Sequence, residues 1–513
     1  MDSNAASWFV DRHPAEGRAG SPAFHLERDV LTYGQVQELA NRTGNALLAL
    51  GVERGERVLL LALDAPEFLG TFWGALKIGA VPVPVNTFLK EADYRYFLAD
   101  SRATAAVVSA PLLGPSREAL RRAPSLRSVL VAGGEAGPFL SFEECVARAS
   151  ADLATAPASP GDVAFWLYSS GSTGAPKAAM HRHGCLRVCH ETYARRILEL
   201  GPTDKVYSAS KLFFAYGLGN AGYFPLGAGA QSVLVPHRTT AEALFATLAR
   251  HRPTVFFAVP TLYAQMLAHR DAGKGCDLSF LRLCVSAGEA LPAGIYDRWR
   301  EAFGVELLDG IGTTEMLHIF ISNRPGAARP GSAGVPVPGY DAQILDDEGE
   351  PVARGEVGNL LVAGDSTMAG YWNQEEKTRR AVSGRWLRTG DQFYQDADGY
   401  FWHVGRSDDM LKVGGLWVSP VEVEGALIAH PAVLEAAVVG RENRDGLVKP
   451  RAFVVLKEGV PASEPLAAEI MAWVRSRVAA YKVPAWIEVV PELPKTPTGK
   501  LQRFKLRESA VES

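Results

Sequence analysis

Val163-Ala164-Phe165-Trp166-Leu167-Tyr168-Ser169-Ser170-Gly171-Ser172-Thr173-Gly174-Ala175-Pro176-Lys177 is an apolar run that breaks into a loop of hydroxyls and glycines. The run Val163–Tyr168 has the length and composition of a buried strand. Glycine admits positive φ and close approach of the backbone to a ligand. Consecutive N–H groups and hydroxyls, here from Ser169, Ser170, Gly171, Ser172, Thr173 and Gly174, then surround an anion, and Lys177 adds positive charge. A plain flexible loop is the bland alternative. Two glycines, four hydroxyls and a lysine directly after a strand argue against it. The kinase-type phosphate loop ends Gly-Lys-Ser/Thr, whereas here Pro176 precedes Lys177.

Outward from this segment, short apolar runs alternate with helical patterns over residues 30–310. Val58–Leu63 reads as a strand and Pro66–Ile78 as a helix. Val255–Val259 is followed by a helical Thr261–Arg270, and Leu283–Ser286 is another short strand. Strands alternating with helices imply βαβ units and mainly parallel sheets. Beyond Asn323 the texture changes to Gly- and Pro-rich turns, which predicts a β-rich subdomain over about residues 325–405. A compact α+β unit follows. It has a helix near Val421–Ala429, strands near Val433–Val439 and Ala452–Leu456, and a helix near Ala467–Ala479. The expected fold class is α/β. A large N-terminal domain, residues 1–407, carries the parallel-rich sheets, and a small mobile C-terminal α+β domain occupies 408–513, with Asp408-Asp409 at the junction.

Composition bounds the function. The 513 residues are 47% hydrophobic and 21% charged, ordinary for a globular chain, and the net charge of -4 carries no long basic run. The footprint of a nucleic-acid binder is therefore missing. No stretch reaches the ~20 apolar residues of a membrane-spanning helix. Five scattered cysteines suit a reducing cytoplasm. His181, His183, Cys185, Cys189 and His190 invite a zinc reading, since 181, 185 and 189 would share a helical face. No second ligand cluster is present to close such a site, and packing is the favoured role.

Further motifs follow in a fixed order. They are Ser286-Ala287-Gly288-Glu289-Ala290-Leu291, Asp309-Gly310-Ile311-Gly312-Thr313-Thr314-Glu315, Arg388-Thr389-Gly390-Asp391, Gly405-Arg406-Ser407-Asp408, and Pro494-Lys495-Thr496-Pro497-Thr498-Gly499-Lys500. With the glycine-rich loop, this series resembles the adenylate-forming superfamily of acyl-CoA synthetases, peptide-synthetase adenylation domains and luciferases. The resemblance runs along nearly the whole chain. It implies that the first loop holds the β- and γ-phosphates of ATP. It implies that Thr314 contacts the α-phosphate and that Glu315 helps hold Mg2+, a hard cation suited to a carboxylate beside phosphate oxygens. Gly288, Glu289 and Ala290 would line adenine and the acyl pocket, together with Asp309, Gly310, Ile311 and Gly312. Many members carry Tyr where this chain has Ile311, so an aliphatic face would meet the purine. Asp391 would accept from both ribose hydroxyls, Arg406 would touch the nucleotide, and Asp408 would be the hinge of the C-terminal domain. Lys500 would stabilise the charge that builds when a carboxylate attacks the α-phosphate.

The stretch Lys211-Leu212-Phe213-Phe214-Ala215-Tyr216-Gly217-Leu218-Gly219-Asn220 falls where this superfamily builds its acyl pocket. Phe214 and Tyr216 offer flat apolar walls, and Ala215 and Gly217 leave room between them. The run resembles benzoate–CoA ligases, as does Glu315-Met316-Leu317-His318-Ile319-Phe320. An aryl acid is implied: benzoate, hydroxybenzoate or aminobenzoate, with His318 or Tyr216 available to a ring substituent. Amino-acid-activating relatives carry an Asp in this region, which Ala215 and Tyr216 do not supply. Gly414, Gly415 and Trp417 resemble the loop that passes a pantetheine arm, which implies coenzyme A as acceptor. A stand-alone adenylating enzyme loading a carrier protein is the alternative. An inactive nucleotide-binding regulator and a luciferase-like oxygenase are the more distant readings.

Overall fold

The computed structural model describes residues 4–169, 176–237, 239–274, 277–407, 409–413, 416–442, 448–495 and 501–508. Two sheets dominate. The first has five parallel strands in the order 81–84, 57–61, 105–109, 128–132, 140–141. Its inner strands are continuous apolar runs because helices cover both faces; Val58, Leu59, Leu60 and Leu61 are all fully buried. The helix Tyr33–Ala49 starts at a capping box, Thr32 Oγ1 accepting from the Gln35 amide and Gln35 Oε1 from the Thr32 amide. It packs on the helix Pro66–Lys77. Gly74 makes that approach possible, since a Cβ there would stand 2.7 Å from the Ala40 carbonyl oxygen.

The second sheet has nine strands in the order 335–336, 319–322, 307–312, 283–286, 255–258, 205–208, 231–233, 22–25, 30–32. Its middle is parallel and its two ends turn antiparallel. Strands 341–345, 358–363, 386–395, 382–383 and 401–406 form a separate antiparallel sheet, which gives the Gly/Pro-rich region its β character. Beyond it, strands 433–442, 448–456 and 486–489 carry the helices 420–428 and 464–475. The second of these helices begins at residue 464 rather than 467 because Ser463 caps it, its hydroxyl accepting from the Leu466 amide.

One local reading changes. The glycine-rich loop leads not into a helix but into an antiparallel strand, Lys177–Arg182, and the helix His183–Cys189 begins only after it. His181 therefore lies on a strand and shares no helical face with Cys185 and Cys189. These side chains are used in packing. His183 Nδ1 accepts from the Ala5 amide at 3.1 Å, and Cys189 Sγ lies 3.8 Å from the Tyr340 hydroxyl and 3.9 Å from the Met316 carbonyl. Burial pushes the thiols of Cys185 and Cys189 up to about 11 and about 12, and that of Cys284 upward as well.

Candidate active site

Strand Val163–Ser169 pairs antiparallel with Lys177–Arg182, and Ser169 faces Lys177 at the end of the hairpin. Ser170, Gly171, Ser172, Thr173 and Gly174 lie outside the described residues, but both stems of their loop are thus fixed. A third strand joins the hairpin, with Gly370 opposite Met180 and Tyr371 opposite Ala179. Facing it is the turn between Leu307–Gly312 and Ile319–Ser322. Thr313 caps a single 3-10 turn there, its hydroxyl accepting from the Met316 amide at 3.2 Å. Leu317 ends the turn at φ 68, a conformation that costs a non-glycine residue ~1–3 kcal/mol. Its side chain is fully buried, so packing holds it there.

This turn delivers Glu315 to the hairpin. Glu315 Oε1 accepts from the Ser169 hydroxyl at 3.1 Å and from the Tyr371 hydroxyl at 2.7 Å. The Glu315 carbonyl accepts from the Met368 amide at 2.8 Å. Lys177 Nζ stands 3.4 Å from the Tyr371 hydroxyl and 4.5 Å from the centre of its ring. Burial and the Glu315 charge keep the Tyr371 phenol protonated. Three segments far apart in sequence thus place a cation, a carboxylate and two hydroxyls together. Among the described residues Glu315 Oε2 accepts no hydrogen bond, which leaves one oxygen for a hard cation, and one carboxylate beside phosphate oxygens suits Mg2+.

The next wall comes from strand ends. Gly288 follows strand 283–286 at φ +96 and is solvent-exposed. Glu289 and Ala290, half-buried, come next. Asp309 is nearly buried, with Oδ2 accepting from the Leu291 amide at 3.2 Å, and so ties the 286–291 loop to the neighbouring strand. Burial lifts its carboxyl to about 8. Gly312 leaves room for the returning chain, since a Cβ there would stand 2.5 Å from the His318 carbonyl oxygen. Ile311, Gly312, Thr313, Thr314 and Glu315 are all half-buried, while Met316 to Phe320 are buried.

Asp391 and Arg406 are direct partners across the antiparallel pair 386–395/401–406. The Arg406 guanidinium lies 3.3 Å from Asp391 Oδ1 and 3.3 Å from the Thr389 carbonyl. His403 Nε2 lies 3.6 Å from the same carboxylate. The positive charge of Arg406 is felt at the Tyr371 phenol.

Phe214, Ala215 and Tyr216 are half-buried, whereas residues 211–213 and 217–223 on either side are buried. Gly217 permits the chain to fold back, because a Cβ there would stand 2.1 Å from the Lys211 carbonyl oxygen. Phe213 and Phe214 pack edge to face with ring centres 4.2 Å apart. His318 sits 5.6 Å from Tyr216 and 4.5 Å from Phe224. Both polar tips have internal partners. The Tyr216 hydroxyl donates to the Val285 carbonyl at 3.1 Å, and His318 Nε2 lies 3.1 Å from Asn220 Oδ1. Burial drops His318 to about 3, so the ring is neutral.

Asp408, Gly414, Gly415 and Lys500 lie outside the described residues, as does the Trp417 side chain. Their surroundings are visible. Lys495 pairs with Leu501 in a β-bridge, and the Gln502 amide donates to the Pro494 carbonyl at 2.8 Å. Lys495 Nζ donates to both Glu435 oxygens at 2.6 Å. Arg503 is clamped by Glu424 at 2.7 Å and by Asp409 at 3.5 Å, and the charge of Glu289 also reaches it. The C-terminal unit therefore pins both ends of the segment that bears Lys500.

Sequence reasoning missed Tyr371, Asn220 and the Glu435–Lys495 pair. Gly370-Tyr371 sits in a run with no apolar period, and only the third strand of the hairpin reveals where the phenol goes. The model of the AMP-binding enzyme family matches residues 11–372, and that of the AMP-binding enzyme C-terminal domain matches residues 422–500. The chain is 50% identical to a benzoate–CoA ligase of Thauera aromatica over 98% of its length and 95% of the relative's. It is 47% identical to a 4-hydroxybenzoate–CoA/benzoate–CoA ligase of Rhodopseudomonas palustris, over 99% of this chain and 95% of that one. The crystal structure of an anthranilate–CoA ligase in complex with anthranoyl-AMP superposes with a TM-score of 0.95 at 45% identity, covering 99% of this chain and 97% of that one.

Proposed function

The chain belongs to the AMP-binding enzyme family, and from that premise we infer that it activates a small aromatic carboxylic acid with ATP and passes it to coenzyme A. It is an AMP-forming acid–thiol ligase that uses ATP, Mg2+ and CoA. The observation that carries the aryl reading is the half-buried Phe214-Ala215-Tyr216 run, framed by buried neighbours, with the neutral His318 ring 5.6 Å from that of Tyr216.

In the first half-reaction a carboxylate oxygen of the acid attacks the α-phosphorus of ATP. A new P–O bond forms, the bond to the β-phosphate oxygen breaks, and pyrophosphate leaves. Ser169, the loop to Gly174 and Lys177 hold the β- and γ-phosphates. Thr314 orients the α-phosphate, Asp391 and Arg406 hold the ribose end, and Gly288–Ala290 with Asp309–Gly312 form the adenine and acyl wall. Glu315 would hold Mg2+ beside the phosphate oxygens, and the ion would supply neutralisation of the developing charge there. Lys500 meets the charge that builds at the α-phosphate. In the second half-reaction the CoA sulfur bonds to the acyl carbon, the bond to the AMP oxygen breaks, AMP leaves and the thiol proton passes to solvent. Asp408 is the hinge that exchanges the two sets of supporting groups, and Gly414, Gly415 and Trp417 border the pantetheine path.

Within the aryl class, the plain ring is the favoured substrate. The Tyr216 proton and His318 Nε2 are already engaged within the protein, and His318 Nδ1, which has no partner among the described residues, lies buried, so a ring hydroxyl finds no exposed partner at either tip. The use of ATP and CoA as co-substrates supports a cytoplasmic reaction, and no helix among the described residues is long and apolar enough to cross a membrane. The test is a panel of benzoate, hydroxybenzoates, aminobenzoates, acetate and palmitate with ATP and Mg2+, reading AMP and thioester together. Free CoA and carrier proteins serve as competing acceptors. Benzoate with free CoA is expected to give the highest kcat/KM. A preference for palmitate would overturn the pocket reading, and thioester formation on a carrier protein alone would overturn the acceptor.

A further inference from the structure

Lys177 and Glu315 carry opposite charges in one half-buried cleft, and one side chain stands between them. The Tyr371 phenol donates to Glu315 Oε1 at 2.7 Å, while the Lys177 ammonium lies against its oxygen at 3.4 Å and over its ring at 4.5 Å. Left to themselves, an ammonium and a carboxylate at this range would close into an ion pair. That pair would withdraw the cation from phosphate and the carboxylate from metal at once. Tyr371 is itself fixed, as its backbone is the third strand of the hairpin and its amide donates to Thr378 Oγ1 at 2.9 Å.

We propose that Tyr371 is a positioning residue that keeps Lys177 and Glu315 apart and turns the Glu315 carboxylate so that Oε2 is presented to the cation. Its ring acts as spacer and as a cation–π seat for the ammonium. Its hydroxyl, with Ser169, occupies Oε1 and leaves Oε2 for the metal. Groups that orient a metal ligand from behind commonly change metal affinity by ~10-fold or more when lost. The inference rests on the reading of Glu315 as the metal-holding carboxylate.

Two substitutions separate the two tasks. Tyr371→Phe keeps the spacer and removes the hydroxyl. Tyr371→Leu removes both the ring seat and the hydroxyl. Binding of Mn2+ to the full-length enzyme with a non-hydrolysable ATP analogue, read by electron paramagnetic resonance, reports on the carboxylate without turnover. Tyr371→Phe is expected to weaken Mn2+ by ~10-fold. Thioester formation from supplied benzoyl-adenylate should stay near wild type, which a merely destabilised fold would not allow. Tyr371→Leu is expected in addition to weaken the nucleotide analogue in the absence of metal, because Lys177 then pairs with Glu315. Glu315→Gln is the control. Wild-type Mn2+ affinity in Tyr371→Phe with weakened affinity in Glu315→Gln overturns the proposal and leaves the reading of Glu315 standing. Wild-type affinity in both variants overturns the reading of Glu315, and the proposal with it.

Discussion

Asp309 is a carboxyl that the fold buries and lifts to about 8. A group whose folded pKa is raised contributes stability fully below its unfolded value and loses it as pH rises through the folded value. Between pH 4 and pH 8 Asp309 therefore destabilises the fold with rising pH, by up to ~1.4 kcal/mol per unit. Asp309→Asn keeps an acceptor for the Leu291 amide and removes the titration. Its melting temperature should exceed wild type at pH 8.5 and lose that advantage at pH 5. An equal offset at both values would contradict the assignment. At the acyl wall, Ala215→Leu adds bulk to the opening between Phe214 and Tyr216, and overpacking costs ~1–3 kcal/mol. Benzoate kcat/KM should fall ~5- to 200-fold, with acetate affected least. Lys500→Ala should slow adenylate formation by ~10²–10³ and spare thioester formation from supplied benzoyl-adenylate. Equal loss in both half-reactions would remove Lys500 from its role. At this scale Thr314, Glu315, Asp391 and Arg406 were reached through resemblance to a family's ordered motifs, and that Asp391 and Arg406 face each other across two strands shows only in the fold. Tyr371 and Asn220 were illegible because their partners lie 56 and 98 residues away, at Glu315 and His318.

Elements were read through their periodicity, and the outcome follows from how periodicity arises. The buried strands 57–61, 255–258 and 283–286 and the helix after Ala65 stand where apolar runs and Pro66 place them. Spacing alone sets His181 on a helical face with Cys185 and Cys189, whereas it ends up on strand Lys177–Arg182. Its Ala178-Ala179-Met180 core is compatible with either structure, and only pairing with Val163–Ser169 decides for the strand. The same logic applies to the junction. Strand 401–406 belongs to the antiparallel sheet, while Asp409 is held by Arg503 and Arg507 of the final helix. The change of allegiance falls between Arg406 and Asp409, and Asp408 lies between them in sequence. Proline fixes φ and removes an N–H, so Asp408→Pro should permit one domain orientation and block the exchange. Pyrophosphate release in a single turnover is expected to survive while steady-state thioester formation falls. Wild-type steady-state turnover in a folded variant would exclude a hinge at this point.

The molecule as a whole divides its chemistry unevenly. In the proposed reading the acyl wall comes from one short stretch plus His318, whereas the phosphate end is assembled from the 163–182 hairpin, the 313–317 turn and strand 370–371. That long-range assembly is why the ordered motifs disclosed the family but not the contacts among them. The C-terminal unit adds its own clamp, Arg503 between Glu424 and Asp409, around the segment bearing Lys500. A last consequence concerns the enzyme's own sulfur. A protein that works in millimolar thiol and releases thioesters is exposed to disulfide exchange, and the attacking species is always the thiolate. Cys185, Cys189 and Cys284 are buried and held far on the thiol side, and only Cys145 of the four described is even partly exposed. Titration of the native enzyme with an aromatic disulfide reagent should therefore, among these four cysteines, modify Cys145 first and leave the other three untouched until the protein is unfolded. Aged CoA stocks, rich in CoA disulfide, should leave them unmodified for the same reason: the cofactor's sulfur finds no partner in the core.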